Sequence, residues 1–169
     1  MRTYVCLEVD DFRYKGHAIF GLICVFCVSY ITGLTLNASH IFGVLIGVML
    51  PDMDHPQSKI NYKLLKFNNG LWKKVFYLTT GFSALAYGLE NDHITSFLGI
   101  ALMWTGVSEH RTFTHSILGG VLYSLAFIKL GGIIQDNAFV ASVIFGYWSH
   151  LFSDSVTRAG VHWTYPMIS

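Results

Sequence analysis

The chain has 169 residues, of which 53% are hydrophobic and 12% are charged, and its formal net charge is +1. About 25% charged residues is typical of a soluble domain, so the composition favours a membrane protein. The small net charge argues against broad electrostatic capture of nucleic acid, and no nucleic-acid partner is expected. The length suits one domain over residues 1–169, in which residues 1–14 form a polar N-terminal extension.

Six apolar stretches follow one another along the chain, and each is predicted to be a helix. They cover residues 18–36, 39–50, 75–89, 94–107, 116–134 and 138–152. The first is near the roughly 20 residues needed to cross a bilayer, and the shorter ones are expected to be tilted or half-buried. No stretch keeps the two-residue period of a strand. The predicted fold is all-α, a compact multi-pass membrane bundle of about six short helices.

The charged residues indicate an orientation for these helices. If each stretch crosses the membrane once, nearly all basic residues gather on one side, namely Arg2, Arg13, Lys15, Lys59, Lys63, Lys66, Lys73, Lys74, Arg111 and Arg158. Lys129 falls toward the other side, where the short loops carry Glu90, Asp92 and Asp136. By the positive-inside rule, both termini are predicted to lie in the cytoplasm.

The same orientation brings acids and imidazoles to the cytoplasmic ends of the helices. These residues are His17, Asp52, Asp54, His55, His110, His115, His150 and Asp154. An ionisable group at the centre of a membrane helix costs about 2.5–3.5 kcal/mol and tends to mark function. Imidazole and carboxylate are the ligands of zinc and similar divalent ions. We therefore predict that these eight side chains hold two or three divalent ions, with Zn2+ preferred, at the cytoplasmic end of the bundle.

The spacing of the histidines supports this prediction. His150 and Asp154 are four positions apart, which places them on one face of a helix. His110 and His115 are five apart, which suits a turn followed by the start of a helix, capped by Thr114 or by Ser116. Taken alone, the first pattern is also compatible with an ordinary helix end.

Two prolines bracket the acidic stretch at residues 52–55. Pro51 and Pro56 stop the second helix from continuing, so this stretch is predicted to be a fixed loop. Taken alone, the stretch is also compatible with a turn in which Asp52 and Asp54 accept local hydrogen bonds. The metal-site interpretation rests on the convergence of all these segments on one face.

Four motifs in order, KGHAIFG, LPDMDHPQS, HRTFTHSIL and GYWSHLFSDSVTRAGVHWTYP, closely resemble the YdjM-like family of LexA-regulated, inner-membrane, metal-dependent hydrolases. The likeness covers residues 15–166. It implies a location in the bacterial inner membrane. The family is in turn similar, more remotely, to zinc-dependent phospholipase C and to single-strand nucleases of the P1 type, which are helical phosphodiesterases with clustered zinc ions.

The remote likeness implies roles for individual residues. It makes His17 an N-terminal ligand, Asp52 or Asp54 the bridging or base carboxylate, and His150 with Asp154 the H-x-x-x-D helix. It leaves open which of the other three histidines, His55, His110 and His115, bind metal.

The chain also departs from the family pattern. Thr112 stands where relatives commonly have a glycine, which reduces the backbone freedom expected just after His110. His162 is added near the C-terminal end without an assigned role, and the basic tail that some relatives carry is not expected here. All the predicted metal positions are retained.

The predicted activity is metal-dependent hydrolysis of a lipid or lipid-linked phosphoester. A bound water whose pKa is lowered toward about 7 would attack the ester. Asp54 is the predicted catalytic base, because one of two neighbouring acids can be left free once the other is coordinated. Arg111 is predicted to bind the substrate phosphate through its guanidinium group.

Two non-enzymatic alternatives stay open. In a divalent-metal carrier, the ligands would lie near the bilayer midplane rather than at one end. A purely structural metal site would be closed by four protein ligands, whereas the chain offers seven or eight.

Overall fold

A computed structural model describes residues 2–55, 58, 60–61, 65–67, 69–157, 161 and 163–166, with side chains from residue 14 onward. This part of the chain forms the α-helices α1 (Arg2–Thr32), α2 (Ala38–Met49), α3 (Gly70–Asn91), α4 (His93–Val107), α5 (Ile117–Ile134) and α6 (Asn137–Ser155). Two short 3-10 helices lie at Pro51–Asp54 and Phe113–His115, and no strand occurs among the described residues. The prediction of an all-α fold with six helices is confirmed. α1 continues from the polar extension into the first apolar stretch and ends at Thr32, four residues before the end of that stretch.

Within the described part of the chain, two helices are long and apolar enough to cross a membrane. They are Tyr14–Thr32, which lies within α1, and Ile117–Ile134, which is α5. Only 22% and 28% of these windows are buried, unlike the core helix of a soluble protein. The multi-pass arrangement and the cytoplasmic position of both termini stay predictions.

The chain divides into two compact units, each built from distant parts of the sequence. Unit 1 comprises Met1–Pro51 and Gln135–Gly160, and it contains α1, α2 and α6. Unit 2 comprises Asp52–Ile134 and Val161–Ser169, and it contains α3, α4 and α5. The single domain predicted over residues 1–169 stays a prediction.

In unit 1, α2 packs closely against α6 through glycines. A Cβ atom on Gly47 would lie 2.1 Å from the carbonyl oxygen of Val143, and one on Gly146 would lie 2.4 Å from that of Val44. Only glycine permits such an approach of two helix backbones. Val44 is also buried in a small apolar core with Val25 of α1. The packing therefore joins α1, α2 and α6 into the frame that carries the first group of site residues.

In unit 2, Asp92 joins α3 to α4 by ending one helix and starting the next. Its Oδ1 accepts hydrogen bonds from the backbone N–H groups of Ile94 and Thr95, at 2.9 and 3.2 Å. The two helices touch at Gly99, where a Cβ atom would lie 2.4 Å from the backbone nitrogen of Leu85. A one-residue connection with glycine at the contact holds the helices side by side.

The segment between α4 and α5 is held by an aromatic stack and a cap. Trp104 and Phe113 stack with their ring centroids 5.0 Å apart and their planes 4° from parallel. Ser116 Oγ accepts a hydrogen bond of 3.1 Å from the N–H of Gly119, so serine, rather than Thr114, caps the start of α5. Because Ser116 provides the cap, the hydroxyl of Thr114 is not needed there and instead donates a hydrogen bond to Asp54.

Candidate metal centres

The first group of site residues lies in unit 1 and consists of His17, His150 and Asp154. His17 Nε2 is 3.3 Å from Asp154 Oδ1, and His150 Nε2 is 3.6 Å from Asp154 Oδ2. The two imidazoles stack with their centroids 4.2 Å apart. A tetrahedral zinc ion with bonds of about 2.0–2.2 Å separates its ligand atoms by about 3.3–3.6 Å. The spacing of these three side chains therefore fits one shared ion.

The hydrogen bonds of the two imidazoles also fit metal binding. His150 Nδ1 lies 2.7 Å from the carbonyl oxygen of Val48, and a carbonyl only accepts, so Nδ1 carries the proton and Nε2 presents its lone pair. His17 Nδ1 is held by Ser153 Oγ at 3.1 Å. Metal-binding histidines regularly have the second ring nitrogen anchored in this way, which fixes the direction of the first. His150 is 1% exposed, so the arrangement is shielded from water.

The second group lies in unit 2, around the carboxylate of Asp54. Its Oδ1 accepts a hydrogen bond of 2.9 Å from His110 Nδ1. Its Oδ2 accepts two more, from the backbone N–H of Arg111 at 3.0 Å and from the hydroxyl of Thr114 at 2.7 Å. Burial raises the pKa of Asp54, but the hydrogen bonds that its carboxylate accepts from His110 and Thr114, with the imidazole of His115 nearby, outweigh this effect, so its pKa lies below the ordinary value. Asp54 is thus an ionised carboxylate that ties two segments together.

His115 is oriented by a relay through Thr114. The single hydroxyl proton of Thr114 is donated to Asp54, so its oxygen accepts from His115 Nδ1, 3.1 Å away. Nε2 of His115 then carries the lone pair, and it lies 3.7 Å from Asp52 Oδ1. His115 is fully buried, and its spacing from Asp52 is close to that of the ligand pairs in unit 1.

The remaining histidines of this group are neighbours as well. The ring of His55 lies 4.7 Å from that of His110, which in turn lies 5.4 Å from that of His115. Asp54, His110 and His115 offer ligand atoms within 4.8 Å of one another. Unit 2 therefore brings together every predicted site residue from its part of the sequence. The convergence of all eight ligands on one pocket stays a prediction, and His162 lies outside the described residues.

Two predicted catalytic residues have contacts that bear on their roles. Both oxygens of Asp54 are occupied by hydrogen bonds, which favours a role in holding His110 over the role of a free base. Arg111 has a φ of +66°, a left-handed backbone conformation that is strained for a residue with a side chain. This conformation goes with the hydrogen bond from its N–H to Asp54. Asp54 as base and the guanidinium of Arg111 as phosphate ligand both stay predictions.

Sequence reasoning missed a buried lysine beside this group. The sequence places Lys73 only among the basic residues of the predicted cytoplasmic side, but it is 3% exposed and its Nζ donates to the carbonyl oxygen of Asp54. Burial lowers the pKa of Lys73 below its usual value, although the charge of Asp54 opposes this effect. Nothing in the sequence around Lys73 distinguishes it from its exposed neighbour Lys74, so no local signal was available.

The fold and these two groups define an all-helical protein with apolar helices that can span a membrane and with His/Asp sets that can hold metal ions. The family model described as the YdjM inner membrane protein matches residues 13–169, and the chain belongs to this family. This confirms the resemblance carried by the four motifs.

Curated relatives match over a shorter region. The inner membrane protein YdjM of Escherichia coli (strain K12) and that of Shigella flexneri are each 36% identical to this chain over 83 residues. The aligned region is 44% of this chain and 42% of each relative, so the chain spans less than half the length of these proteins. No solved structure matches the chain significantly. The remote similarity to phospholipase C and P1-type nucleases stays a prediction.

Proposed function

We propose that this protein is a membrane-bound, metal-dependent hydrolase that cleaves a phosphoester of a lipid or lipid-linked substrate. The observation that carries the proposal is the set of Nε2–carboxylate spacings of 3.3 and 3.6 Å around Asp154, with His150 anchored through its other nitrogen. These features support a divalent ion held by His17, His150 and Asp154. A bound divalent ion supplies an activated water and polarises a phosphoryl oxygen.

The residues of unit 2 support the same chemistry in a different way. Asp54 fixes the tautomer of His110, so that Nε2 of His110 has a lone pair for an ion or for a proton. Asp52 and His115 provide a further carboxylate–imidazole pair at 3.7 Å. Arg111 lies beside this group and carries the guanidinium that we assign to the substrate phosphate. Membership of an inner-membrane family supports a substrate that is itself in the membrane.

The burial of the ligands favours one alternative, a metal-binding protein without catalytic activity. His115 is 0% and His150 is 1% exposed, and structural metal sites are closed to solvent and substrate. The two functions differ in one measurable property, since only the enzyme turns over an ester.

The test uses the full chain purified in detergent without chelators. Metal content is measured by elemental analysis, and hydrolysis is followed with bis(p-nitrophenyl) phosphate and with phospholipid vesicles. The compared samples are wild type, wild type stripped with EDTA and reloaded with Zn2+, His150→Ala, and the control Phe152→Ala, whose side chain is exposed. We expect bound metal and hydrolysis in wild type and in the control, and in His150→Ala we expect loss of hydrolysis and of the metal bound by the group of unit 1. Bound metal without hydrolysis of either substrate would assign the site to the non-catalytic alternative.

A further inference from the structure

The turn at residues 51–55 carries Asp52, Asp54 and His55. Two side chains to which the sequence assigned no role, Asn61 and Lys73, hold this turn by hydrogen bonds. A four-residue 3-10 helix such as Pro51–Asp54 has weak internal hydrogen bonds and depends on its surroundings. Three successive carbonyl oxygens of the turn, those of Met53, Asp54 and His55, accept hydrogen bonds from Asn61 or Lys73. The backbone of the turn is therefore fixed at each of these residues.

Asn61 holds the two outer carbonyl groups. Its Nδ2 donates to the oxygen of Met53 at 2.7 Å and to that of His55 at 2.8 Å. Its Oδ1 accepts from the hydroxyl of Tyr77 at 3.0 Å, which fixes the orientation of the amide group. Both side chains are buried, so these hydrogen bonds do not compete with bulk water.

Lys73 holds the central carbonyl group. Its ammonium donates to the oxygen of Asp54, and it also reaches the oxygen of Thr105 at 3.4 Å. Burying an ammonium group is costly unless it is paired, and a cation close to the start of a helix also opposes the helix dipole. Lys73 is the fourth residue of α3, so neither burial nor helix electrostatics accounts for a lysine at this position. Its contact with the turn does.

We propose that Lys73, together with Asn61, is a positioning residue that keeps the turn at residues 51–55 in the shape that presents Asp52 and His55 to a metal ion and holds Asp54 against His110. By fixing the backbone of Asp54, the ammonium directs the carboxylate toward His110 and Thr114. The inference rests on the proposed metal-binding function, and it adds a residue that contacts no ion itself.

The experiment uses the full chain in detergent with Co2+ as the probe, because its visible absorption reports ligand number and geometry. His150→Ala is the background in which the group of unit 1 is disabled, so that binding reports unit 2. Into this background are placed Lys73→Met, Lys73→Arg, Tyr77→Phe and the matched control Lys74→Met, whose side chain is exposed. Helical content is checked by circular dichroism for each variant.

We expect Lys73→Met to weaken Co2+ binding about 10- to 100-fold, the range usual for residues that support metal ligands. Lys73→Arg should recover part of the affinity, Tyr77→Phe should lose a few-fold, and Lys74→Met should match its parent. Unchanged affinity and an unchanged Co2+ spectrum in Lys73→Met would overturn the inference. Should Lys73→Met fail to fold, Tyr77→Phe decides. Co2+ affinity equal to that of the parent in Tyr77→Phe would contradict the role of Asn61 in holding the turn.

A second readout separates this inference from the proposed function. In metal-free protein, hydrogen exchange is measured for the backbone amides of the turn. They include the N–H of His55, which donates to the backbone carbonyl oxygen of Asp52 at 3.0 Å. Lys73→Met should exchange these amides at least about tenfold faster, and Lys74→Met should not. If wild type binds no Co2+, the proposed function fails. The role of Lys73 in holding the turn is rejected separately, if the amides of the turn exchange at the same rate in Lys73→Met and in wild type.

Discussion

Asp154 in unit 1 and Asp54 in unit 2 are both 1% exposed, but their surroundings differ. Asp154 faces the Nε2 atoms of His17 and His150 at 3.3 and 3.6 Å, which are separations typical of two ligands on one ion. Asp54 accepts three hydrogen bonds of 2.7–3.0 Å. One residue type, aspartate, therefore serves as a candidate metal ligand at position 154 on the long helix α6 and as a structural anchor at position 54 in a short turn.

The hydrogen bonds of Asp54 predict a large cost when its carboxylate is removed. Asp54→Ala should lower the free energy of unfolding of the metal-free protein by about 3–5 kcal/mol, because it leaves the buried hydroxyl of Thr114 and the N–H of Arg111 without their acceptor. Denaturant unfolding in detergent, followed by circular dichroism after chelation, measures the loss. A loss below about 1 kcal/mol would contradict the role of Asp54 as a structural anchor.

Metal affinity should change most at the group in unit 1. We expect His150→Ala to weaken Zn2+ binding at that group by at least about 100-fold, since even residues behind the ligands typically account for 10- to 100-fold. Competition with a coloured chelator gives the affinity. Phe152→Ala, two positions further along α6 and exposed, is the matched control and should bind as wild type does. Wild-type affinity in His150→Ala would show that this group holds no ion.

A smaller loss of metal affinity is expected for a residue that contacts a candidate ligand but not the ion. Ser153→Ala removes the hydroxyl that holds His17 Nδ1 at 3.1 Å, and the affinity for Zn2+ should fall about tenfold. Ser155→Ala is a suitable comparison, because its hydroxyl donates to the backbone of its own helix. The chelator competition used for His150→Ala applies here too, and equal affinities in the two serine variants would argue that His17 needs no such support.

The smallest effect concerns the strained backbone in unit 2. Arg111→Gly and Arg111→Ala both remove the guanidinium, but only glycine accepts a φ of +66° without strain. Arg111→Gly should therefore be more stable than Arg111→Ala by about 1 kcal/mol. Thermal unfolding compares them, and hydrolysis assays should show the same loss in both if the guanidinium binds phosphate. A more stable alanine variant would contradict the strained conformation.

Much of the fold could be predicted because the signals are local. The apolar stretches became α1 to α6, Pro51 follows Leu50, the C-cap residue of α2, and the four-residue spacing placed His150 and Asp154 on one face of α6. The four motifs pointed to the family that the comparison then showed. These features depend on neighbouring residues and on helix periodicity, which are present in the sequence itself.

The partners of each side chain were decided only by tertiary structure. His17 meets Ser153, which is 136 positions away, and Asp54 meets Thr114, which is 60 positions away. Composition alone made Lys73 and Lys74 equivalent, yet one is buried against Asp54 and the other is exposed. The physical reason is that such contacts depend on how closely and at what angle helices pack, which small residues such as Gly47 permit but do not specify. Residue type limits which side chains could serve a metal site, and packing sets which of them face one another as candidate ligands and which hold those candidates in position.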